Sequence, residues 1–294
     1  LFRSEARLAQ QPITAWRRLR YRLLSALVFS NLRSFIGLSE IKTALTGAAP
    51  VPPDLLKWYM SVGVDLIECY GLTETCGFCT ATPPERIKIG AAGVKAHGTE
   101  IRIGVEDEIL VQGPNVFAGY WNLPDKTADT IDADGWLHTG DCGEIDSDGY
   151  LRIKDRIKDI LITSGGKNIT PSLIENQIKF SPYISDAVVV GDGRHYLTCL
   201  VMIDHDNVTR FAQDNQVPYT DFSSLTRAPE VLQLIGSEIE AVNTRLARVE
   251  QVKQFRLIDQ LLNPEDEELT PTMKLKRRVV TAKYAALIAT MYQD

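Results

Sequence analysis

Residues 64–75, VDLIECYGLTET, join a short apolar strand to a loop that carries an aromatic ring, a hydroxyl and a carboxylate in close succession. Upstream, another apolar strand enters residues 46–50, TGAAP, and Pro53 followed by Asp54 begins a helix. This alternation of strand and helix predicts a layered α/β domain with ligand loops at strand ends. The loop at 70–75 has groups that can stack on a purine, bond a phosphate oxygen and hold Mg²⁺, which prefers oxygen ligands.

The sequence pattern changes near residue 88. From 88 to 152, short alternating segments such as 101–103 and 108–111 are separated by Gly, Pro, Asn and Asp. This pattern predicts an antiparallel, barrel-like subdomain. We place the domain boundary after residue 154. Residues 1–154 then form the carboxyl-terminal part of a large α/β domain, and residues 155–294 form a small α+β domain.

The small domain has three clear elements of predicted structure. Thr170 and Pro171 begin a helix, since proline is favoured in the first helical turn. Residues 187–190 and 197–203 flank the turn Gly191-Asp192-Gly193, which predicts a hairpin. A later helix is predicted from apolar residues at steps of three and four: Leu232, Ile235, Ile239, Val242, Leu246 and Val249.

The composition is that of a soluble chain: 294 residues, 44% apolar and 24% charged, leave room for two domains. No apolar run reaches the roughly 18 residues of a membrane-spanning helix, and the first residues lack the order of a signal peptide. We therefore expect a cytoplasmic location, with peripheral contact to a membrane as an alternative. The first residue is Leu1 rather than Met, which suggests a chain cut out of something longer.

The net charge of −6 hides a basic stretch at residues 1–38, which hold seven arginines and one acidic residue. Apolar residues recur there at helical spacing, which predicts an amphipathic helix with an arginine-rich face. We interpret it as a surface helix docked on its own domain, with an anionic membrane surface as the alternative partner. Nucleic acid is excluded because the basic cluster is local and lacks interleaved aromatic residues. The apolar positions are Trp16, Leu19, Leu23, Leu24, Leu27 and Val28.

Five cysteines without a secretory signal argue against a disulfide framework. Cys76 and Cys79 have the spacing of half a zinc site, but neither Cys69 nor Cys142 completes it. We expect buried, small apolar cysteines instead.

Three further segments carry chemistry. Residues 135–141, GWLHTGD, place a carboxylate in a glycine turn, where it can accept hydrogen bonds from two ribose hydroxyls. Residues 155–171, DRIKDILITSGGKNITP, run from charges at the domain joint through an apolar strand to a glycine turn that lets a ligand approach closely. Residues 269–278, LTPTMKLKRR, form a cationic loop near the end.

Together with the loop at 70–75, these segments closely resemble, in order and spacing, the adenylate-forming superfamily of acyl-CoA synthetases, luciferases and peptide-synthetase adenylation domains. The resemblance covers nearly the whole chain and includes residues 113–121, GPNVFAGYW, which look like the family's barrel segment. The extra residue in 164–168, SGGKN, and the sequence LTPT before Lys274 resemble long-chain acyl-CoA synthetases.

The resemblance implies a nucleotide site in the large domain. Tyr70 would stack on adenine, Asp141 would bind the ribose and Arg156 would support the nucleotide. The resemblance also places Gly47 and Ala48 along the adenine and acyl-adenylate pocket. The full nucleotide-binding set that it implies is Gly47, Ala48, Tyr70, Gly71, Thr73, Asp141 and Arg156.

The catalytic groups implied by the resemblance are Lys274, Glu74 and Thr73, with Glu74 helping to hold Mg²⁺ and Thr73 meeting phosphate oxygens. The small domain would be a mobile lid that turns about a hinge at Lys158. Its glycine turn would face coenzyme A (CoA) through Gly165, Gly166 and Lys167. For the neighbouring cluster we expect a solvated face, consisting of Lys276, Arg277 and Arg278.

The implied activity is ATP-dependent ligation of a long-chain fatty acid to CoA through an acyl-AMP intermediate. Relatives carry a Ser/Thr/Gly-rich phosphate loop upstream, and we find none before Tyr70. Residues 163–167, TSGGK, lie after the hinge, and Asn168 breaks a phosphate-loop pattern. The alternatives are an acyl-AMP ligase, another carboxylate–CoA ligase, or a non-catalytic nucleotide- or CoA-binding remnant or partner subunit. The oligomeric state and the acyl chain length are left open.

Overall fold

The computed structural model describes residues 8, 14–49, 51–262, 265–270 and 275–293. The chain divides into two compact units, Leu1–Lys158 (unit 1) and Asp159–Asp294 (unit 2). This division lies shortly after the boundary proposed from the sequence.

The first sheet of unit 1 has the order β1 (Ala44–Thr46), β2 (Leu66–Tyr70), β3 (Thr80–Ala81) and β4 (Val94–Lys95). β1 and β2 are parallel, and the other two pairs are antiparallel. Between β1 and β2 runs a helix, Pro53–Val62, which begins at proline and ends at Gly63 in the left-handed conformation. The predicted α/β layer is therefore confirmed, and the loops after β1 and β2 leave the same edge of the sheet.

The second sheet of unit 1 confirms the predicted barrel-like subdomain. Its four strands follow each other in antiparallel order. They are β5 (Glu100–Ile103), β6 (Glu108–Gln112), β7 (Leu137–Ile145) and β8 (Leu151–Arg156), and a short helix, Pro124–Thr130, precedes β7. Ile109, Val111 and Leu137 are fully buried and pack in one cluster with Tyr70, so the two sheets of unit 1 share a core.

The amino-terminal helices of unit 1 differ from the sequence interpretation. They span Ala15–Leu24 and Ser30–Phe35 with a π-helical segment, Ser25–Phe29, between them. Phe29 and Leu32 pack on the core near Val62. The predicted apolar face is the exposed one, with exposed fractions of 63% at Trp16 and 71% at Leu27, and Leu19, Leu23, Leu24 and Val28 are exposed as well. Periodicity identified an apolar face but not which side of the helix docks. Among the described residues, no helix combines the length and apolarity needed to cross a membrane.

Unit 2 is built on a three-stranded sheet, β11 (Ile184–Val190), β12 (Leu197–Ile203) and β13 (Val252–Leu257). The β11–β12 hairpin was predicted, and β12 is buried at every position. A two-stranded ladder of β9 (Leu161–Ile162) and β10 (Asn168–Ile169) holds the glycine turn. The helices that the structure describes in this unit are Pro171–Ile178, His205–Asp214, Phe222–Arg227, Pro229–Asn243, Arg277–Lys283 and Ala285–Thr290.

The long helix of unit 2 corrects one prediction. It spans Pro229–Asn243 and buries Val231, Ile235 and Ile239. Leu232 and Val249, which belonged to the predicted face, are 39% and 50% exposed. Proline at 229 starts the helix earlier than the apolar pattern suggested, and the helix ends before the last predicted turns.

Candidate functional site

A cleft of about 570 Å³ opens where the loops after β1 and β2 meet. Since β1 and β2 are parallel neighbours, both loops leave the sheet at its carboxyl edge, where open α/β sheets bind ligands. The cleft contains four of the residues that the sequence analysis assigned to nucleotide binding. Its lining consists of Gly47, Ala48, Cys69, Gly71, Leu72, Thr73, Cys76 and Gly77.

Small residues are required here because backbone segments approach closely. A Cβ atom at Gly71 would lie 2.4 Å from the carbonyl carbon of Gly77. At Gly47 it would lie 3.0 Å from the Cys69 carbonyl oxygen. Ala48 has a φ of 66°, a left-handed conformation that costs a non-glycine residue free energy. Half of the residues that line the cleft are glycine or alanine, so backbone atoms form part of its wall.

A group of three polar side chains lies beside the loop that follows β2. They are Tyr70, Asp141 and Arg156. The Tyr70 hydroxyl donates a 2.6 Å hydrogen bond to Asp141 Oδ2, and Arg156 Nε lies 3.2 Å from Asp141 Oδ1. The strand register explains the pair, because Asp141 on β7 lies opposite Arg156 on β8. Tyr70 and Asp141 are 8% and 5% exposed, whereas the Arg156 side chain is largely exposed.

The electrostatics of this trio follow from burial. Burial raises the pKa of the Asp141 carboxyl, while the hydrogen bond from Tyr70 and the charge of Arg156 lower it. Burial, followed by the Asp141 charge, raises the pKa of Tyr70, so its hydroxyl remains a donor. Asp141 thus presents a carboxylate that already accepts one O–H and one guanidinium, the donors that sugar hydroxyls would supplement or replace.

Glu74 and Thr73 lie on a single 3₁₀ turn, Thr73–Thr75, directly after the Tyr70-Gly71-Leu72 segment. The Tyr120 hydroxyl donates a 2.7 Å hydrogen bond to Glu74 Oε1, and this bond raises the pKa of Tyr120. The sequence analysis did not assign Tyr120 to the site, although it lies in the segment 113–121 that carried part of the resemblance. Thr73 is exposed.

A magnesium ion would find one fixed carboxylate here. Among the described residues, no group of three or more His, Cys, Asp or Glu side chains is arranged to hold a metal. Mg²⁺ keeps several waters and is commonly bound by one or two carboxylates plus substrate phosphates. Glu74, oriented by Tyr120, fits that kind of site and would supply one ligand.

The remaining predicted site residues are placed separately. Lys158 lies in a 3₁₀ turn, Ile157–Asp159, and is the last residue of unit 1. The turn containing Gly165, Gly166 and Lys167 is exposed in unit 2. Lys274 lies outside the described residues. The structure thus brings together the nucleotide-binding candidates in unit 1, and the roles of the unit 2 residues stay predictions.

Two assignments need correction. Cys79 is buried as expected, but Cys76 is exposed because it ends the 3₁₀ turn in a left-handed conformation, with a φ of 54°. Lys276 and Arg278 are exposed, but Arg277 is not part of a solvated face. Its side chain is 20% exposed, and its guanidinium contacts a buried carboxylate, that of Glu175, at 2.6 Å.

The comparison with known families supports the same interpretation. The family profile described as "AMP-binding enzyme" matches residues 7–121, and the profile described as "AMP-binding enzyme C-terminal domain" matches residues 158–294. The chain belongs to the AMP-binding enzyme family.

Among curated relatives, the fatty-acid–CoA ligase fadD11 of Mycobacterium tuberculosis is 41% identical over 267 residues, covering 90% of this chain and 47% of the relative. The long-chain-fatty-acid–CoA ligase FadD15 of Mycobacterium bovis is 35% identical over 276 residues, covering 94% of this chain and 46% of the relative. The chain therefore spans about half the length of the curated relatives it matches.

Solved structures agree with the fold. The O-succinylbenzoate CoA synthetase of Bacillus subtilis in complex with AMP is 27% identical, with a TM-score of 0.60, covering 81% of this chain and 45% of that protein. The adenylation domain of a carboxylate reductase from Mycobacterium chelonae is 21% identical, with a TM-score of 0.71, covering 99% and 44%. The second similarity supports the adenylation-domain fold alone.

Proposed function

We propose that this chain provides part of the active site of an AMP-forming ligase that joins a long-chain fatty acid to CoA through an acyl-AMP intermediate. The observation that carries the proposal is the hydrogen-bonded group of Tyr70, Asp141 and Arg156 beside the cleft at the ends of β1 and β2. The relatives fadD11 and FadD15, which are named as fatty-acid–CoA ligases, support the fatty acid and CoA as substrates.

Nucleotide binding would use the cleft and the trio together. The adenine would pack against the Gly71 loop, and the ribose hydroxyls would donate to Asp141. Tyr70 was predicted to stack on the adenine, but its ring is 8% exposed and packs in the core, so its role would be to position Asp141 through the hydroxyl hydrogen bond. Arg156 is exposed and can turn toward the nucleotide, and the ribose hydroxyls would then replace it as donors to the buried Asp141 carboxylate. AMP and ATP complexes among similar solved structures support this assignment.

In the first half-reaction a fatty acid carboxylate oxygen attacks the α-phosphorus of ATP, a P–O bond to pyrophosphate breaks, and acyl-AMP forms. Two anions must meet, so donors and cations have to be placed where charge accumulates. Thr73 would donate to phosphate oxygens, and Glu74 would hold Mg²⁺, which neutralises phosphate charge when bound. Lys274 would supply the further cation of this step.

In the second half-reaction the CoA thiolate attacks the acyl carbonyl carbon, and AMP leaves with the electron pair of the broken C–O bond. The glycine turn of Gly165, Gly166 and Lys167 would line the approach of CoA. The two steps need different groups of unit 2, so unit 2 would turn about Lys158 between them.

The first test is nucleotide binding by the chain itself. Isothermal titration with AMP should show binding, and Asp141→Ala should weaken it by at least tenfold, while the exposed Asp148→Ala control should not. An Asp141→Ala variant that binds AMP as well as the wild type would contradict the assignment of the ribose site.

The test of activity uses a chimera in which this chain replaces the matching segment of the Mycobacterium tuberculosis relative. Carboxylate-dependent ATP–pyrophosphate exchange measures the first half-reaction, and acyl-CoA formation measures both. Exchange without acyl-CoA would favour an acyl-AMP ligase. AMP binding without exchange, in a folded chimera, would favour a non-catalytic nucleotide-binding role.

We also propose that the exposed apolar face of the helix Ala15–Leu24 contacts an anionic membrane surface. Trp16, Leu19 and Leu23 lie on one exposed side of a helix that also carries four arginines. The protein should sediment with anionic vesicles, and the Leu19→Glu variant should stay in the supernatant. A second experiment adds the part of the Mycobacterium tuberculosis relative that this chain does not match. If the protein fails to bind vesicles but binds that part tightly, the face packs against protein instead.

A further inference from the structure

The strand that carries Asp141 departs from regular pairing at that residue. The ladder between β6 and β7 shifts register between Glu108 and Leu110, so residues 139–141 of β7 lie opposite a single residue of β6. Such a β-bulge breaks the ladder locally and changes where a side chain points, and bulges are common next to active sites. The conformation of the bulge therefore decides where the Asp141 carboxylate lies.

The carboxylate of Glu108 bridges this bulge. Its Oε1 accepts the Gly140 N–H at 2.9 Å, and its Oε2 lies 2.7 Å from His138 Nδ1. Because an ionised carboxylate only accepts hydrogen bonds, the second contact places a proton on Nδ1. The Glu108 side chain is 16% exposed, so water competes little for either bond. One side chain therefore holds both the residue before the bulge and the residue that directly precedes Asp141.

The backbone of the bulge depends on side chains for its hydrogen bonds. Gly140 has a φ of 70°, and an added Cβ would meet nothing within 4 Å, so packing does not confine the chain on that side. The Thr139 hydroxyl donates to the Ile109 carbonyl at 2.7 Å and accepts the Asp141 N–H at 3.1 Å. Removal of the Glu108 side chain would thus release the Gly140 N–H without deleting a backbone–backbone hydrogen bond of the sheet.

The charge of Glu108 does not favour the ionised form of Asp141. Burial is the main cause that raises the pKa of the Asp141 carboxyl, and the negative charge of Glu108 adds to that rise. The carboxylate that would accept ribose hydroxyls is therefore opposed by a second carboxylate nearby, which protonated His138 offsets. What Glu108 contributes to the site is its hydrogen-bond geometry.

The following assignment rests on the proposed function, in which Asp141 binds the ribose. We propose that Glu108 is a positioning residue for the nucleotide, which bridges His138 and Gly140 and so holds the Asp141 carboxylate where two ribose hydroxyls can donate to it. Glu108 acts through Asp141. The preference of the chain for a ribose over a sugar without these hydroxyls then depends on both carboxylates.

The experiment is isothermal titration of the full chain with AMP and, separately, with 2′,3′-dideoxyadenosine 5′-monophosphate, which lacks both hydroxyls. Glu108→Ala should weaken AMP binding about tenfold, which corresponds to roughly 1.4 kcal/mol, and leave binding of the dideoxy nucleotide unchanged. Glu108→Asp keeps the charge but is one methylene too short to bridge the bulge, so it should behave like Glu108→Ala. Glu108→Gln keeps the length and an acceptor for Gly140, so it should bind AMP as the wild type does.

A matched control and a combined variant complete the titrations. Glu144→Ala removes an exposed glutamate of the same strand and should change neither affinity. In the Asp141→Ala background, Glu108→Ala should cause no further loss of AMP binding, because a residue that acts through Asp141 has nothing left to position.

Hydrogen exchange provides a measurement without nucleotide. The Gly140 amide should lose protection in Glu108→Ala and Glu108→Asp and keep it in Glu108→Gln. Amides of the β7–β8 ladder beyond residue 142 should keep their protection in all three variants. Loss of protection along the whole ladder would make Glu108 a residue of the fold rather than of the site and would overturn the proposal.

The titrations separate this proposal from the proposed function. If Asp141→Ala weakens AMP binding but Glu108→Ala does not, or if Glu108→Ala weakens both nucleotides equally, the positioning role is wrong and the ribose site stands. If the wild type binds the two nucleotides equally, or if Asp141→Ala binds AMP as well as the wild type, the ribose assignment is wrong and the positioning role falls with it.

Discussion

Replacement of Arg277 by Met measures how much a buried ion pair contributes to the free energy of unfolding of unit 2. Arg277 Nη2 lies 2.6 Å from Glu175 Oε1, and Nη1 donates to the Val189 carbonyl at 2.7 Å. The same Glu175 oxygen accepts the Val189 N–H at 2.7 Å. Arg277→Met removes the guanidinium and leaves Glu175 as a buried carboxylate with a single backbone donor.

The magnitude follows from burial. Glu175 is 8% exposed, and the Arg277 side chain is 20% exposed. Breaking a buried pair by removing one partner costs about 3 to 5 kcal/mol, and the residual exposure of Arg277 favours the lower end. The double variant Arg277→Met/Glu175→Gln has no charge left to desolvate. We therefore expect it to recover most of the loss, since neutral replacement of both partners is often tolerated.

The assay can separate the two units because all four tryptophans lie in unit 1. Tryptophan fluorescence during urea unfolding then reports on unit 1 and should not change. Hydrogen exchange of the β11 and β12 amides reports on unit 2, and protection there should fall in Arg277→Met. Arg278→Met, the exposed neighbour, is the matched control.

The destabilisation caused by Arg277→Met should depend on pH, and the direction of that dependence follows from the pKa of Glu175. Burial raises the pKa of Glu175 in the folded chain, and Arg277 is among the groups that lower it. Without Arg277 the folded-state pKa should rise further above the unfolded value. The folded state then binds more protons, so stability is lost as pH rises and recovered on acidification. A cost below 1 kcal/mol at pH 7, or a cost that grows on acidification, would refute this reasoning.

Three further predictions concern other groups. Burial raises the pKa of Glu68 to about 7, so unit 1 should lose stability as the pH rises from about 4.5 through 7. Urea unfolding followed by tryptophan fluorescence should show that Glu68→Gln stabilises unit 1 at pH 8 but not at pH 4. In the chimera, Lys274→Ala should slow pyrophosphate exchange by about 10²- to 10³-fold while sparing thioester formation from supplied acyl-AMP, and equal losses would make Lys274 structural. Lys158→Pro should suppress the thioester step by orders of magnitude in single turnover and leave exchange within about tenfold, whereas Lys158→Ala should disturb both mildly.

Local patterns in the sequence predicted the elements whose signals are short-range. Proline at the first helical turn marked the helices at Pro53 and Pro171, and the Gly-Asp-Gly turn marked the β11–β12 hairpin. Turn residues and strand alternation likewise indicated the antiparallel sheet. These features depend on neighbouring residues, so one sequence suffices to find them.

Long-range contacts were harder to predict. Tyr70 and Asp141 were both assigned to the nucleotide, yet nothing in their spacing indicated the hydrogen bond between them. The contact of Tyr120 with Glu74 and that of Arg277 with Glu175 also join distant segments. A charged residue in a basic run looks the same whether or not its partner is buried elsewhere, and only the fold distinguishes the two.

The outer side of β1 has a consequence for handling the protein. β1 is the edge strand of its sheet, pairs only with β2 among the described residues, and carries Leu45, which is 58% exposed. Unpaired backbone along an apolar edge is a template on which another strand can add. Purified chain should therefore self-associate as its concentration rises, and Leu45→Lys, a gatekeeper charge on that edge, should keep it monomeric in light scattering.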